Sequence, residues 1–143
     1  AARRGQQWLP WVVAISSLIT LPLLFITFMA TTPMIAIAAY ALPAMLGTLY
    51  VAPGFALIQN FTPLEMRSVA AAINLFVTNI IGLGLGPFTV GFFSDVFSQS
   101  YGEDGLRWGL ATTIVILIWG VIHYWRCGVI IKRQSTATLA SAA

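Results

Sequence analysis

The sequence predicts an all-α polytopic membrane protein with four transmembrane helices. Hydrophobic residues make up 59% of its 143 residues and charged residues only 8%, whereas soluble domains carry about 25% charged residues. Long uncharged runs recur along the chain, and one of them extends from Val69 to Phe93. About 20 apolar residues in a helix suffice to cross a bilayer. Too little polar surface remains to face water, so lipid is the predicted surrounding of most side chains.

Short polar breaks divide the chain into four apolar segments. Helices of about 22–25 residues would be roughly 33–38 Å long, enough to cross a bilayer with some tilt. The chain opens AARRG without an initiator Met or a signal peptide, so we expect a piece of a longer protein. The predicted segments are a cytoplasmic loop remnant (1–7), the spans 8–30, 34–58, 63–93 and 106–131, and a disordered cytoplasmic tail (132–143).

Basic residues are unequally distributed between the two sides that four spans define. Arg107 alone falls on one side, next to three of the four acids. Because an excess of Lys and Arg marks the cytoplasmic side, we predict cytoplasmic termini and a cytoplasmic loop at 59–68, in a plasma (inner) membrane. The basic residues on the predicted cytoplasmic side are Arg3, Arg4, Arg67, Arg126, Lys132 and Arg133.

The third span begins with a helix-start pattern and ends in a glycine-rich stretch. Thr62 can cap the helix, Pro63 fits its first position and Glu65 can reach back to the cap. Near the far end, Pro87 follows Gly86 and leaves a carbonyl of the preceding turn without its helical donor. We therefore predict a cytoplasmic loop that carries Glu65 and Arg67, and a bend at Gly86–Pro87.

Two amides lie inside the third span, where a buried polar group needs a partner. Asn74 and Asn79 are about 140° apart on a helix and cannot serve one face. Asn79 shares its face with Gly82 and Gly86, whose GxxxG spacing permits close helix approach. Two interpretations of these amides stay open, namely hydrogen bonding to another helix and contact with a substrate. The residues predicted for helix packing and hinge motion are Asn79, Gly82, Gly84, Gly86, Pro87 and Gly91.

Small residues and helix breakers share one face of the second span. Tyr40, Gly47 and Gly54 fall near this face, whereas Tyr50 lies about 80° away from it. Such a stripe is typical of a packing seam or of a cavity wall, and both interpretations stay open. A tyrosine with breakers along the helix resembles a helix that gates a path. The candidate pathway residues are Tyr40, Gly47, Tyr50 and Asn74.

The sequence contains no pattern typical of an enzyme, a metal site or a cofactor site. The single Cys127 excludes an internal disulfide, and His123 beside Tyr124 and Trp125 fits an interfacial structural role. The basic residues do not form the stripe that nucleic-acid binding needs. We expect no enzymatic activity, no metal, no cofactor and no nucleic-acid partner.

The third span and the residues after it resemble the last part of a major facilitator superfamily transporter, and more specifically its spinster-like branch. The resemblance implies twelve helices in two halves, of which this chain would supply the ninth to the twelfth. It also implies that the tenth helix lines the cavity and the eleventh packs against the opposite half. The matching residues are Pro63, Arg67, Ala70, Ala72, Asn79, Gly82, Gly84, Gly86, Pro87, Gly91, Ser94 and Asp95.

Together these observations predict part of a secondary active transporter that moves a small organic or lipid-like solute by alternating access. By the resemblance, the ion-coupling acids and most substrate contacts would lie in N-terminal helices of the same polypeptide, with proton coupling as one expectation. The alternative is a self-contained four-span protein that oligomerises through its glycine stripe as a channel or scaffold.

Overall fold

The computed structural model describes residues 5–140, and these form helices and turns with no strand among them. The all-α class predicted from the sequence is confirmed. Arg3 and Arg4, which entered the charge argument, lie outside the described residues. The helices are α1 (Trp8–Met29), α2 (Pro33–Leu46), α3 (Val51–Phe61), α4 (Arg67–Thr78), α5 (Gly86–Tyr101) and α6 (Gly105–Ala140), and a π-helical segment (Asn79–Leu85) joins α4 to α5.

The core of the structure lies between α1 and α6. Val13 is 2% exposed and Ala14 is 1% exposed, and Ile131 of α6 is buried as well. Two polar residues are buried on the same helix, and each hydroxyl donates to a carbonyl of the preceding turn: Ser16 to Val13 at 3.0 Å and Thr20 to Ser16 at 2.9 Å. These bonds satisfy the hydroxyls within the helix, so α1 can bury them among apolar side chains.

The helices form one layer in which α1 and α6 are central. α2 packs against α1 on one side, α5 packs against α6 on the other, and α4 contacts α3 and the π-helical segment. Residue burial follows this order, because the fully buried residues outside α2 all belong to α1 and α6. The outer helices therefore present large apolar surfaces to whatever surrounds this layer.

Three stretches of the described chain are long and apolar enough to cross a membrane: Trp8–Met29, Pro33–Phe61 and Leu64–Ala137. The third contains 74 residues, far more than the roughly 20 that one crossing needs. It reverses direction at Gly102, where φ is +57°, and α5 and α6 then pack side by side. Glycine adopts this left-handed conformation without the steric cost of a Cβ.

Two helix ends differ from the sequence prediction. α5 continues to Tyr101, past the predicted span end at 93, and α6 continues to Ala140 through most of the tail predicted as disordered from residue 132. Residues 141–143 lie outside the described part. Hydropathy marks where the hydrocarbon ends, whereas a helix persists into the polar layer as long as its residues favour it, as Ala and Leu do here.

Aromatic side chains gather at two levels of the layer. At one level Trp11 contacts Trp8 and stacks on Trp125, with centroid distances of 5.3 and 5.7 Å. At the other level Tyr101 contacts Trp108 at 5.3 Å. Trp108 and Trp125 are separated along α6 by about 26 Å, close to the thickness of a bilayer core of about 30 Å. This spacing is the one expected of two interfacial aromatic belts.

Candidate functional site

The π-helical segment lies directly before the predicted bend. Pro87 cannot donate a backbone hydrogen bond, and the N–H of the preceding Gly86 donates to the Ile81 carbonyl, five residues back. At the start of the segment the Asn79 N–H reaches both the Leu75 and the Phe76 carbonyls. Wide turns of this kind occur mostly as single turns inside α-helices and are frequent at functional sites. The irregularity thus coincides with the glycine-rich stretch.

The predicted packing glycines meet no other helix among residues 5–140. A Cβ built on Gly82, Gly86 or Gly91 would meet no atom within 4 Å, and one on Gly84 would meet only the Asn79 carbonyl of its own helix at 4.0 Å. Asn79 is exposed and Asn74 is half-buried. The proposed seam therefore requires a partner other than the described residues, and the role of these residues stays a prediction.

Large apolar side chains surround these glycines and are exposed as well. They cover α4, the π-helical segment and α5 on more than one side. Those that are at least 49% exposed are Val69, Ile73, Leu75, Phe76, Ile80, Ile81, Leu83, Leu85, Phe88 and Phe92. An apolar surface of this extent marks contact with lipid or with another helix.

The second apolar stretch is broken between α2 and α3. The Gly47 N–H donates to the Pro43 carbonyl at 2.7 Å, and three-residue bonds follow from Leu49 to Leu46 and from Val51 to Thr48. A Cβ on Gly47 would lie 3.0 Å from the Pro43 carbonyl oxygen, which makes glycine the residue that fits this turn. The sequence predicted one span with breakers, and the structure resolves it into two helices.

The candidate pathway tyrosines lie on either side of this turn. Tyr40 on α2 is 51% exposed and Tyr50 beside α3 is 45% exposed. The structure places Asn74 on α4, whereas Tyr40 lies on α2 and Tyr50 directly precedes α3. Their shared role stays a prediction.

The loop between α3 and α4 differs from the predicted helix cap. The Thr62 hydroxyl donates backwards to the Ile58 carbonyl at 2.6 Å, so it does not cap the following helix. Instead Leu64–Met66 form a short 3-10 turn, and the Arg67 Nε donates to the Thr62 carbonyl at 3.2 Å. The predicted capping box is therefore wrong, because the threonine hydroxyl finds a nearer acceptor in the helix that it ends. Glu65 is exposed.

The close helix contacts use glycines that the sequence reasoning did not select. A Cβ on Gly109 would lie 2.9 Å from both the Ser94 nitrogen and the Val90 carbonyl oxygen, and one on Gly105 would collide with Ser98. Gly105 and Gly109 have the GxxxG spacing, and Ser94 and Ser98 have the matching spacing of small residues. The motif GLRWG is the sequence signal for this contact, and it has the same glycine spacing as Gly82 and Gly86.

A third glycine contact joins α1 to α6. The Trp11 ring lies against Gly128, where any Cβ would collide with the indole, and the Lys132 Nζ lies 5.8 Å from the centre of the same ring. The Trp11 Nε1 is buried and has no hydrogen-bond partner among the described residues. The indole therefore sets the spacing of α1 and α6 at this level.

The described residues contain no cluster of three or more His, Cys, Asp and Glu side chains that could hold a metal ion. The His123 Nδ1 lies 2.8 Å from the Trp119 carbonyl oxygen, and its ring packs on the Trp119 indole at 4.5 Å. Asp104 pairs with Arg107 at 3.0 Å. His123, Asp104 and Arg107 therefore each have a partner within three or four residues along the chain.

An all-helical chain with long apolar helices belongs to the class of integral membrane proteins. It is similar to an MFS-type efflux pump of Mycolicibacterium smegmatis (strain ATCC 700084 / mc(2)155), with 34% identity over 125 residues. The similarity covers 87% of this chain and 29% of that protein, so the chain spans less than a third of the length of its relative. This similarity supports membership of the major facilitator superfamily and a role in transport. No family model and no solved structure matches the chain.

Proposed function

We propose that this chain is the last third of a twelve-helix major facilitator transporter that exports a small organic or lipid-like solute by alternating access. The carrying observation is the similarity to an efflux pump over 87% of the chain. The other eight helices of the proposed transporter would belong to the same polypeptide, since the chain corresponds to only 29% of that relative. The spinster-like branch is part of the proposal and is supported by the motif from Asn79 to Asp95.

The proposed topology has four spans: α1, α2 with α3, α4 with α5, and α6. The reversal at Gly102 supports the division of the long third stretch. The two aromatic levels support a bilayer around α6, because Trp108 and Trp125 are about one hydrocarbon thickness apart. The positive-inside rule then places the α3–α4 loop and both chain ends in the cytoplasm.

The arrangement of the layer supports distinct roles for inner and outer helices. α1 and α6 pack against each other, whereas the glycine face of α5 and the π-helical segment meets no other helix in the part of the chain that the structure describes. In the proposed transporter, α2 and α3 border the substrate path, and the π-helical segment borders the opposite half. These roles are the ones that the resemblance implies for the tenth helix, which lines the cavity, and for the eleventh, which packs against the opposite half.

The side chains along the proposed path favour a mostly apolar solute with a few hydrogen-bonding groups. Tyr40 and Tyr50 offer hydroxyl groups on aromatic rings, and Asn74 offers an amide. The described acids lie at or beyond the ends of the predicted spans 63–93 and 106–131: Glu65, Asp95, Glu103 and Asp104. This third therefore provides no acid near the middle of a predicted span for ion coupling. Coupling to protons would therefore depend on the remaining helices.

The proposed motion is a bend of the third span at its wide turn. Pro87 removes one helical hydrogen bond, and the π-helical segment beside it already departs from α-helical geometry. Broken or kinked helices allow one bundle to move against another during alternating access. The glycine face would let the opposite half approach closely in one of the two states.

A matched pair of substitutions tests the proposal in the complete protein. Gly86→Leu should lower export from inverted membrane vesicles at least tenfold, because leucine would fill the proposed seam. Gly120→Leu is the control, since Gly120 is also half-buried and also has open space around its Cβ. Equal export by the wild type and Gly86→Leu, at equal membrane abundance, would remove the seam from the proposal.

A second candidate function rests on the exposed apolar face of α4 and α5. In a self-contained four-span protein this face would pair with copies of itself to form a channel or scaffold. Cross-linking distinguishes the two candidates, using a Phe88→Cys variant that lacks the native Cys127. A ladder of chain multiples supports the oligomer, whereas cross-links confined to one longer polypeptide support the transporter.

A further inference from the structure

A groove lies in the angle between the start of α1 and the last turns of α6. Its volume is about 630 Å³. Trp11 forms one wall, and the residues that line the groove are Trp11, Val129, Lys132, Arg133, Thr136 and Ala137. The groove is therefore apolar along most of its length and carries two cations at adjacent positions of one helix. The groove is separate from the proposed transport path, which lies on α2 and α3.

The position of the groove is that of a lipid headgroup layer. Trp125 belongs to one aromatic level, and Lys132 lies about 10 Å farther along α6, beyond the hydrocarbon boundary that such aromatics mark. The Lys132 ammonium is held 5.8 Å from the Trp11 ring centre. Lys132 and Arg133 are exposed, and no residue lining the groove is acidic.

We propose that this groove binds the headgroup and glycerol region of one anionic phospholipid of the cytoplasmic leaflet. Lys132 and Arg133 would pair with the phosphate, Arg133 through its planar fork of donors. The Trp11 ring and Val129 would contact the first methylene groups of an acyl chain. Charge and apolar surface occur side by side, and a lipid joins these two features in one molecule, whereas free phosphate would use the cations alone.

Lipid titration of the purified protein tests the proposal. In detergent, native mass spectrometry should show one tightly retained dioleoylphosphatidylglycerol and much weaker retention of dioleoylphosphatidylcholine. Arg133→Gln should weaken retention about fivefold, and Lys132→Gln with Arg133→Gln about 25-fold, since each cation near an anionic lipid surface is worth about 1 kcal/mol. Arg133→Lys keeps the charge and should retain most of the binding.

Arg126→Gln is the matched control, because Arg126 is an exposed cation of α6, six residues before Lys132, that does not line the groove. An equal loss for Arg126→Gln and Arg133→Gln would show diffuse attraction and overturn the proposal. Displacement of the lipid by inorganic phosphate at equal concentration would also overturn it, as would equal retention of the two lipids. Circular dichroism of each variant confirms that lost binding is not lost folding.

Discussion

The contact between α5 and α6 predicts that Gly109→Ala leaves the protein about 1–3 kcal/mol less stable than a Gly→Ala change at an open position of the same helix. The added Cβ would lie 2.9 Å from the Ser94 nitrogen and 2.9 Å from the Val90 carbonyl oxygen. Both are backbone atoms, so relief requires one helix to move away from the other rather than a side chain to rotate. Overpacking of well-packed interiors costs about 1–3 kcal/mol.

Gly120→Ala is the control within the same helix. A Cβ on Gly120 meets no atom within 4 Å, and alanine is a better helix former than glycine by about 0.5–1 kcal/mol. Both variants gain this helix propensity, so they should differ by the overpacking cost alone, about 1–3 kcal/mol, with Gly109→Ala the less stable. The assay is reversible unfolding in mixed micelles as the fraction of sodium dodecyl sulfate rises, followed by far-ultraviolet circular dichroism.

Equal unfolding midpoints for Gly109→Ala and Gly120→Ala would refute the packing argument. A companion variant, Ser94→Ala, adds a sharper condition. It removes the hydroxyl but leaves the backbone nitrogen that the new Cβ meets, so it should not rescue Gly109→Ala. A full rescue would show that the contact is made by side chains and that the helices are farther apart than described.

Three further predictions follow from other contacts. Gly128→Ala should lose stability, and the loss should shrink in a Trp11→Leu background, because the new Cβ meets the indole ring; a double-mutant cycle measures this coupling. Pro87→Ala restores a backbone donor and should convert the π-helical segment to α-helix, seen as slower amide exchange there; unchanged exchange would contradict the assignment to proline. Asp104→Asn should lower the free energy of unfolding by about 0.5 kcal/mol or less, since its ion pair with Arg107 is exposed. A larger loss in the same unfolding assay would show that Asp104 stabilises the protein through a contact other than Arg107.

The sequence predicted the membrane class and the apolar segments because the hydropathy of a segment depends only on its own residues and not on its partners in the fold. It also predicted a bend at Gly86–Pro87, since a missing donor is a local property; the π-helical segment ends directly before these residues, and the bend itself stays a prediction. The break between α2 and α3 was foreseen only as a run of breakers. The position of the turn depends on the backbone hydrogen bonds of Gly47 and Thr48. Other carbonyls nearby in the sequence could accept such bonds, so the sequence does not show which of them are made.

Helix ends and helix partners were harder to predict. The end of α5 at Tyr101 depends on the left-handed Gly102, and the sequence has twelve glycines with no local mark of this conformation. The GxxxG spacing occurs at Gly82 and again at Gly105, and within the described residues only the second meets another helix. Spacing shows that close approach is sterically possible, whereas the partner is decided by the order in which the helices pack.

The central claim, that four helical spans alternate between two compartments, is tested most directly by cysteine labelling in intact cells. In a background without Cys127, Glu65→Cys and Glu103→Cys would be treated with a membrane-impermeant maleimide before and after permeabilisation. The account predicts immediate labelling of position 103 and labelling of position 65 only after permeabilisation. Labelling of both positions from the outside would contradict it.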